Sequence, residues 1–185
     1  MLAALGHALA SSHCTRLHRL AQSVWDKDMC GNKWNATHYN IYYNMDLEKI
    51  KDLIGRKHNL ADALGMSFVS TPDEDTCVAK MQVDSRTCQP MGLLSGGATL
   101  ALAEYLAGVG SSALCPGRAV VGVNVSGSHV RSAFEGDTVT ATAHIVHCGR
   151  TLHVWNVTVA GSDGKTISTV SVMNFITDKP TEAPE

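Results

Sequence analysis

Residues 95–113 read SGGATLALAEYLAGVGSSA, and the fold turns on this stretch. It is the one long apolar run with helical character, and it is apolar nearly all round. A helix of that kind is buried by more than one neighbour. Ala and Gly dominate it, so those neighbours can approach closely. Gly108 and Gly110 each cost roughly 1 kcal/mol of helix propensity, so each needs a packing reason. Glu104 is the only charged residue between Arg86 and Arg118. A carboxylate there is expensive to desolvate. It has to be paired, protonated or kept for chemistry.

Downstream, after Pro116-Gly117, the pattern changes to period two. Val120–Ser126, Thr138–Val146, Leu152–Ala160 and Thr166–Ile176 read as long β-branched strands, the last two joined by the tight-turn sequence Ser162-Asp163-Gly164-Lys165. Upstream, Asp46 is placed to cap a helix from Leu47 that puts Leu47, Ile50, Leu53 and Ile54 on one face and ends near residues 55–59. A short turn follows over Leu60–Leu64. Met66–Thr71 and Cys77–Val83 then read as a hairpin, and a loop through Gln89-Pro90-Met91-Gly92 leads into the long helix. Strand runs meeting one buried helix imply an α+β layer fold, with an antiparallel sheet wrapped around residues 95–113.

The chain of 185 residues suits one domain with room for a tail. Three segments are expected: an extension over 1–44, a core domain over 45–178 and a C-terminal tail over 179–185. The extension is Ala/Leu/Ser/His-rich up to Val24, weakly like a transit peptide, then polar and aromatic. It reads either as a weakly ordered segment upstream of a natural start at Met45 or as a short helix docked on the core. A net charge of −2 and the absence of a basic patch point away from nucleic acid. No apolar run reaches the roughly 20 residues that span a membrane. The six cysteines are scattered, which reads as reduced thiols of a cytoplasmic protein, or an organellar one if residues 1–44 target it. Of the nine histidines, His144 and His147 are three apart in a strand and so are expected on opposite faces, which argues against a shared metal. No metal or organic cofactor is called for.

Ser95-Gly96-Gly97 opens the helix, where the first backbone N–H groups have no internal partner and carry the positive end of the dipole. Gly96 and Gly97 leave these donors open to a carbonyl oxygen. An amide there can hold an oxyanion, and losing one such donor typically costs about 2.7–4 kcal/mol of barrier. Ser95 is equally placed as a simple N-cap. Glu104 lies eight residues beyond Gly96, a rise of about 12 Å. One carbonyl cannot touch both in one chain. Two copies are required, with Gly96 of one facing Glu104 of the other.

The stretch from Gln89 through Pro-Met-Gly-Leu-Leu-Ser-Gly-Gly to Glu104 resembles the active-site segment of hotdog-fold acyl-CoA thioesterases, in the phenylacetate-type branch with the enterobactin proofreading thioesterase and the dihydroxynaphthoyl-CoA hydrolases. The family pattern is Gln-Pro-x-Gly-x-x-His-Gly-Gly, then an apolar helix with Glu or Asp. The likeness continues through residues 121–131, Glu135-Gly136-Asp137 and His147-Cys148-Gly149-Arg150. It implies a hotdog fold and hydrolysis of an acyl-CoA or acyl-carrier-protein thioester. Glu104 would activate water or attack the thioester, the Gly96 amide of a partner chain would polarise the carbonyl, and Gln89 would help hold that carbonyl or the attacking water. His129, Arg131 and Arg150, with Gly97, would line the CoA path, the arginine forks matching phosphate. A homodimer at least, and commonly a tetramer, is implied. Two departures stand out: Ser95 replaces the family's His, and Gly108 stands where Ser or Thr is usual. They keep a second reading open, a non-catalytic acyl-CoA-binding module. A hydratase fits less well, since no Asp stands beside His129.

Overall fold

The computed structural model describes residues 45, 47, 51–55, 59–73 and 75–178, all within a compact unit that spans His38–Glu185. The expected extension over 1–44, the tail over 179–185 and the cap at Asp46 lie outside the described residues. The elements are α1 (Lys51–Ile54), α2 (Leu60–Ala63), β1 (Ser67–Val69), β2 (Thr76–Gln82), α3 (Gly96–Leu114), β3 (Ala119–His129), β4 (Thr138–Cys148), β5 (Leu152–Ala160) and β6 (Thr166–Thr177).

The six strands form one antiparallel sheet in the order β1-β2-β4-β5-β6-β3, and α3 packs across its inner face. This is the helix wrapped by a sheet that residues 95–113 predict. Period-two alternation sets the inner face: Cys77, Ala79 and Met81 on β2, Val139, Ala141 and Ala143 on β4, Trp155, Val157 and Val159 on β5, Val170 and Val172 on β6. Ala98, Leu102, Leu106 and Gly110 recur every four residues on α3 and meet it. Gly110 has its packing reason. A Cβ there would stand 2.6 Å from Trp155 Cη2 and 2.9 Å from Cys77 Sγ. Burial pushes the Cys77 thiol up to about 12, so it is inert as a nucleophile.

Three expectations change. Of the helix over 47–54, only Lys51–Ile54 is α-helical among the described residues, and Met45 instead bridges to Thr71 as an extra rung beside the sheet. Its backbone N–H donates to Thr71 O at 3.0 Å, and its side chain is buried. Secondly, α3 is not enclosed all round in the single chain. Ala101, Glu104, Tyr105, Gly108 and Ser112 are only half-buried. Thirdly, His144 and His147 share the outer face. The register slips between Ile145 and His147, so that His144 pairs with Asn156 and His147 with Val154. The bulge absorbs one residue and restores the phase.

β3 is an edge strand. Among the described residues it pairs with β6 alone, and all eleven of its positions are at least partly exposed, eight of them fully. It runs antiparallel to α3 beneath that helix's open side. A Cβ on Gly127 would meet Leu100 Cδ2 at 3.1 Å, and one on Gly122 would meet Glu104 Oε1 at 2.6 Å.

Candidate active site

The start of α3 is held from several sides. Ser95 N donates to Thr87 O at 2.8 Å, Leu94 N to Ala133 O at 2.9 Å, and Gln89 N to Leu93 O at 2.8 Å. Gly92 turns the Gln89 loop with φ +74°. Gln89 is thus fixed in backbone and half-buried beside the helix start. Ser95 occupies the N-cap position, and its hydroxyl caps nothing. Its carbonyl accepts from Thr99 N at 3.1 Å and Thr99 Oγ1 at 3.2 Å. The amides of Gly96 and Gly97 therefore start the helix without a side-chain cap, with Gly97 exposed.

His129, at the end of β3, lies against this turn. A Cβ on Gly96 would stand 2.6 Å from His129 Nε2. The other ring nitrogen, Nδ1, is 2.8 Å from the buried Ser168 hydroxyl, which fixes the ring plane. Glycine at 96 thus serves two ends: it opens the amide and makes room for an imidazole. Arg131, two residues on, is committed. Its guanidinium forks onto Asp163 at 3.0 and 2.8 Å. That pairing holds the Asp163 carboxyl down at about 2.

Glu104 is half-buried at mid-helix, where it opens into a cavity of ≈ 490 Å³. Ile54, Phe68, Tyr105, Val109 and Val120 form an apolar wall, and Asn59, Ser112 and Asn174 supply polar atoms. Gly108 lines the same space and has no neighbour within 4 Å of where a Cβ would stand, so its packing reason is room rather than close approach. Arg150 is exposed on the turn between β4 and β5, and its carbonyl accepts from Arg118 NH1 at 2.8 Å.

The predicted residues therefore fall into two groups. Gln89, Ser95, Gly96, Gly97, His129 and Arg131 gather at the end of β3 that carries His129. Glu104 and Arg150 lie toward its other end, near Ala119–Gly122. An eleven-residue strand is about 35 Å long. A single chain thus does not bring the groups together, and Arg131 and Arg150 stand at opposite ends of the β5–β6–β3 sheet.

Sequence reading missed a cluster of four residues, one of which, Asn174, lines the cavity with Glu104. Ser111 Oγ accepts from Trp155 Nε1 at 2.9 Å and Asn174 Nδ2 at 3.1 Å, and lies 3.1 Å from His153 Nδ1. All four side chains are buried. Burial, then the charges of Arg118 and His147, push the His153 imidazole down to about 4. The available signal was phase: His153 and Asn174 are polar at positions that alternate inward.

One long helix crossing a six-stranded antiparallel sheet defines a hotdog domain. Residues 91–168 match the family model described as the thioesterase superfamily. A putative esterase of Pseudomonas aeruginosa is 43% identical over 123 residues, 65% of this chain and 81% of that protein. The 1,4-dihydroxy-2-naphthoyl-CoA hydrolase of Escherichia coli is 39% identical over 108 residues, 58% of this chain and 78% of that protein. The crystal structure of a Haemophilus influenzae thioesterase superposes with a TM-score of 0.67 at 28% identity, covering 77% of this chain and 98% of the other. The chain belongs to the hotdog thioesterase family, and it is an enzyme of thioester hydrolysis. No described helix is long and apolar enough to cross a membrane.

Proposed function

We propose that the chain hydrolyses an acyl-CoA or acyl-carrier-protein thioester at a site completed by two copies, with Glu104 of one and the Gly96 amide of the other. The observation that carries this reading is the cavity. A half-buried carboxylate opens into a largely apolar space of ≈ 490 Å³, while the amides suited to an oxyanion lie about two helical turns away. β3 supplies the means. Pairing two copies antiparallel along this edge sets the His129 end of one strand beside the Gly122 end of the other. Val121 and Val123 are exposed on that strand, and Met173 and Phe175 continue an apolar patch on the sheet's outer side that suits a second interface and a tetramer.

The acyl group occupies the cavity, and its thioester oxygen accepts from the partner's Gly96 amide, with Gln89 and His129 adjacent. Glu104 takes a proton from water as the water oxygen bonds to the carbonyl carbon. The oxyanion then collapses, the C–S bond breaks, and the thiolate takes the proton, leaving a free acid and a thiol. Attack by Glu104 itself is the variant route, distinguished by tracing labelled water oxygen into Glu104 in a single turnover. Gly97 and Arg150 serve the CoA path. Arg131 serves it only by sharing or leaving Asp163. The reaction uses no cofactor beyond the CoA of the substrate. Cys77 and Cys88 are free thiols, which suits a cytoplasmic setting, or an organellar one if residues 1–44 direct it there.

Ser95 favours a second reading, since its hydroxyl caps nothing and is no imidazole. In that reading the domain binds acyl-CoA without turnover. Thiol release from a panel of aryl, short and long acyl-CoAs decides between them. Turnover by the parent with loss in Glu104→Ala supports hydrolysis. Tight CoA binding with release no faster than in buffer supports the binding module.

A further inference from the structure

We propose that Asn174 is a second catalytic group of the Glu104 site, its carboxamide oxygen holding the attacking water, and that a buried hub at Ser111 sets its orientation. This rests on the hydrolytic reading above. Asn174 is 1% exposed on β6, in line with Val170, Val172 and Ile176. An amide so placed is costly to bury unless it is bonded. Only one of its hydrogen bonds is made within the described residues, from Nδ2 to Ser111 Oγ.

In the structure the amide turns Nδ2 toward Ser111 Oγ, and the rest of the hub accommodates that orientation. A hydroxyl has one proton and two lone pairs. Trp155 Nε1 can only donate, and with Asn174 Nδ2 it fills both lone pairs of Ser111. The Ser111 proton then goes to His153 Nδ1, 3.1 Å away. His153 is left neutral with its proton on Nε2, which faces Cys148 Sγ at 3.4 Å and Cys115 Sγ at 3.8 Å. The depressed basicity of this imidazole agrees with that assignment. With Nδ2 on the hub, Oδ1 is left for the cavity that Asn174 lines with Glu104.

The sheet register brings the two groups together. Asn174 is the register partner of Gly122, and a Cβ on Gly122 would stand 2.6 Å from Glu104 Oε1. Directly paired residues point to the same face, with Cβ positions about 4.5–5.5 Å apart. The Asn174 carboxamide and the Glu104 carboxylate thus flank one small space. Water there donates one hydrogen to each oxygen, so its lone pair is aimed rather than free to tumble. On attack, the hydrogen held by Glu104 transfers to that carboxylate, and the one held by Asn174 stays on the new C–O bond until the acid forms. A neutral acceptor suits this place, because a second carboxylate would oppose ionisation of the first. Tyr105 is the only other titratable group that lines the cavity among the described residues.

The test measures kcat and KM for thiol release by the full-length parent, Glu104→Ala, Asn174→Ala and Asn174→Asp, with folding followed by circular dichroism. Asn174→Ala is expected to lower kcat about 10–100-fold with KM moved less than about threefold. Asn174→Asp is nearly isosteric and stays folded if the alanine variant does not. It is expected to move the acid limb of the kcat profile to higher pH, which a purely structural role would leave in place. An Asn174→Ala enzyme within twofold of the parent, or an unmoved acid limb in Asn174→Asp, overturns the inference while leaving the proposed function intact. A parent that releases no thiol overturns the proposed function, and this inference with it.

Discussion

The two ends of the open side of α3 are built in opposite ways. At its start, the donors are backbone amides, the neighbours are loop residues and an exposed histidine, and the surface is open. At mid-helix, the proposed acting group is the Glu104 side chain, and Asn174, which lines the same cavity, belongs to a buried cluster with Ser111, Trp155 and His153. In the proposed reaction the first end would stabilise charge by a rigid dipole that needs no titration. In that reaction the second would move a proton, so its groups would have to be oriented and kept in a chosen protonation state. The difference teaches why one site would be divided between two chains. No single helix can place its own start and its own middle on one carbonyl.

Replacing Glu104 breaks this contrast most sharply. Glu104→Gln keeps shape and removes the base, and turnover is expected to fall about 10²–10⁴-fold. Gly96→Val acts on the other end. Its Cβ would meet His129 Nε2 at 2.6 Å, so either the ring or the amide must shift. A loss of about 10²–10³-fold is expected, the size of one lost oxyanion donor. The two variants together test the division itself. Each alone is inactive, but a mixed dimer restores one intact site. Equal mixing after dissociation should return about a quarter of parental sites. No recovery would place both half-sites in one chain.

The hub behind Glu104 leaves a mark on stability. His153 is held at about 4 in the folded chain against an ordinary 6.5. The unfolded chain therefore binds more protons between those values, and stability falls as pH drops from 6.5 toward 4. Above 6.5 the contribution is complete. At roughly 1.4 kcal/mol per unit the loss reaches about 3 kcal/mol at most. His153→Gln should flatten the melting temperature across that window. The exposed Arg131–Asp163 pair titrates lower, with stability lost only as pH falls from the usual carboxylate range through about 2, so the windows are separable.

These two ends also differ in how far the sequence reveals them. Ser95-Gly96-Gly97 is continuous, and its chemistry follows from glycine and a helix start, so a reader finds it without a structure. The strands from Val120 onward were legible for the same reason, since period two survives over nine or more residues. The hub is not legible as a unit. Ser111, His153, Trp155 and Asn174 come from three elements, and only the register of β5 and β6 brings them together. Single polar residues at inward positions were visible, but their partners were not. The bulge that moves His147 to the same face as His144 was hidden too, because one inserted residue resets the phase without any change of composition. The Leu47 helix was overstated because an amphipathic spacing there competes with a bridge from Met45 to Thr71 that only tertiary pairing supplies.

Gly108 and Gly110 turn the same contrast into a small, clean measurement. Both are helical, and on propensity alone each would favour Ala by roughly 1 kcal/mol. Gly110 faces the sheet, where a Cβ would overlap Trp155 and Cys77. Gly110→Ala is therefore expected to destabilise by about 1–3 kcal/mol, read by denaturant unfolding. Gly108 faces the cavity, where a Cβ meets nothing within 4 Å. Gly108→Ala should stabilise by about 0.5–1 kcal/mol. It also takes a methyl's volume from the space beside Glu104, so KM for the bulkiest accepted acyl group should rise while that for the smallest stays within about twofold. A gain in stability with no change in acyl preference would show that the acyl group does not pass Gly108, and would move the binding wall toward Phe68 and Ile54.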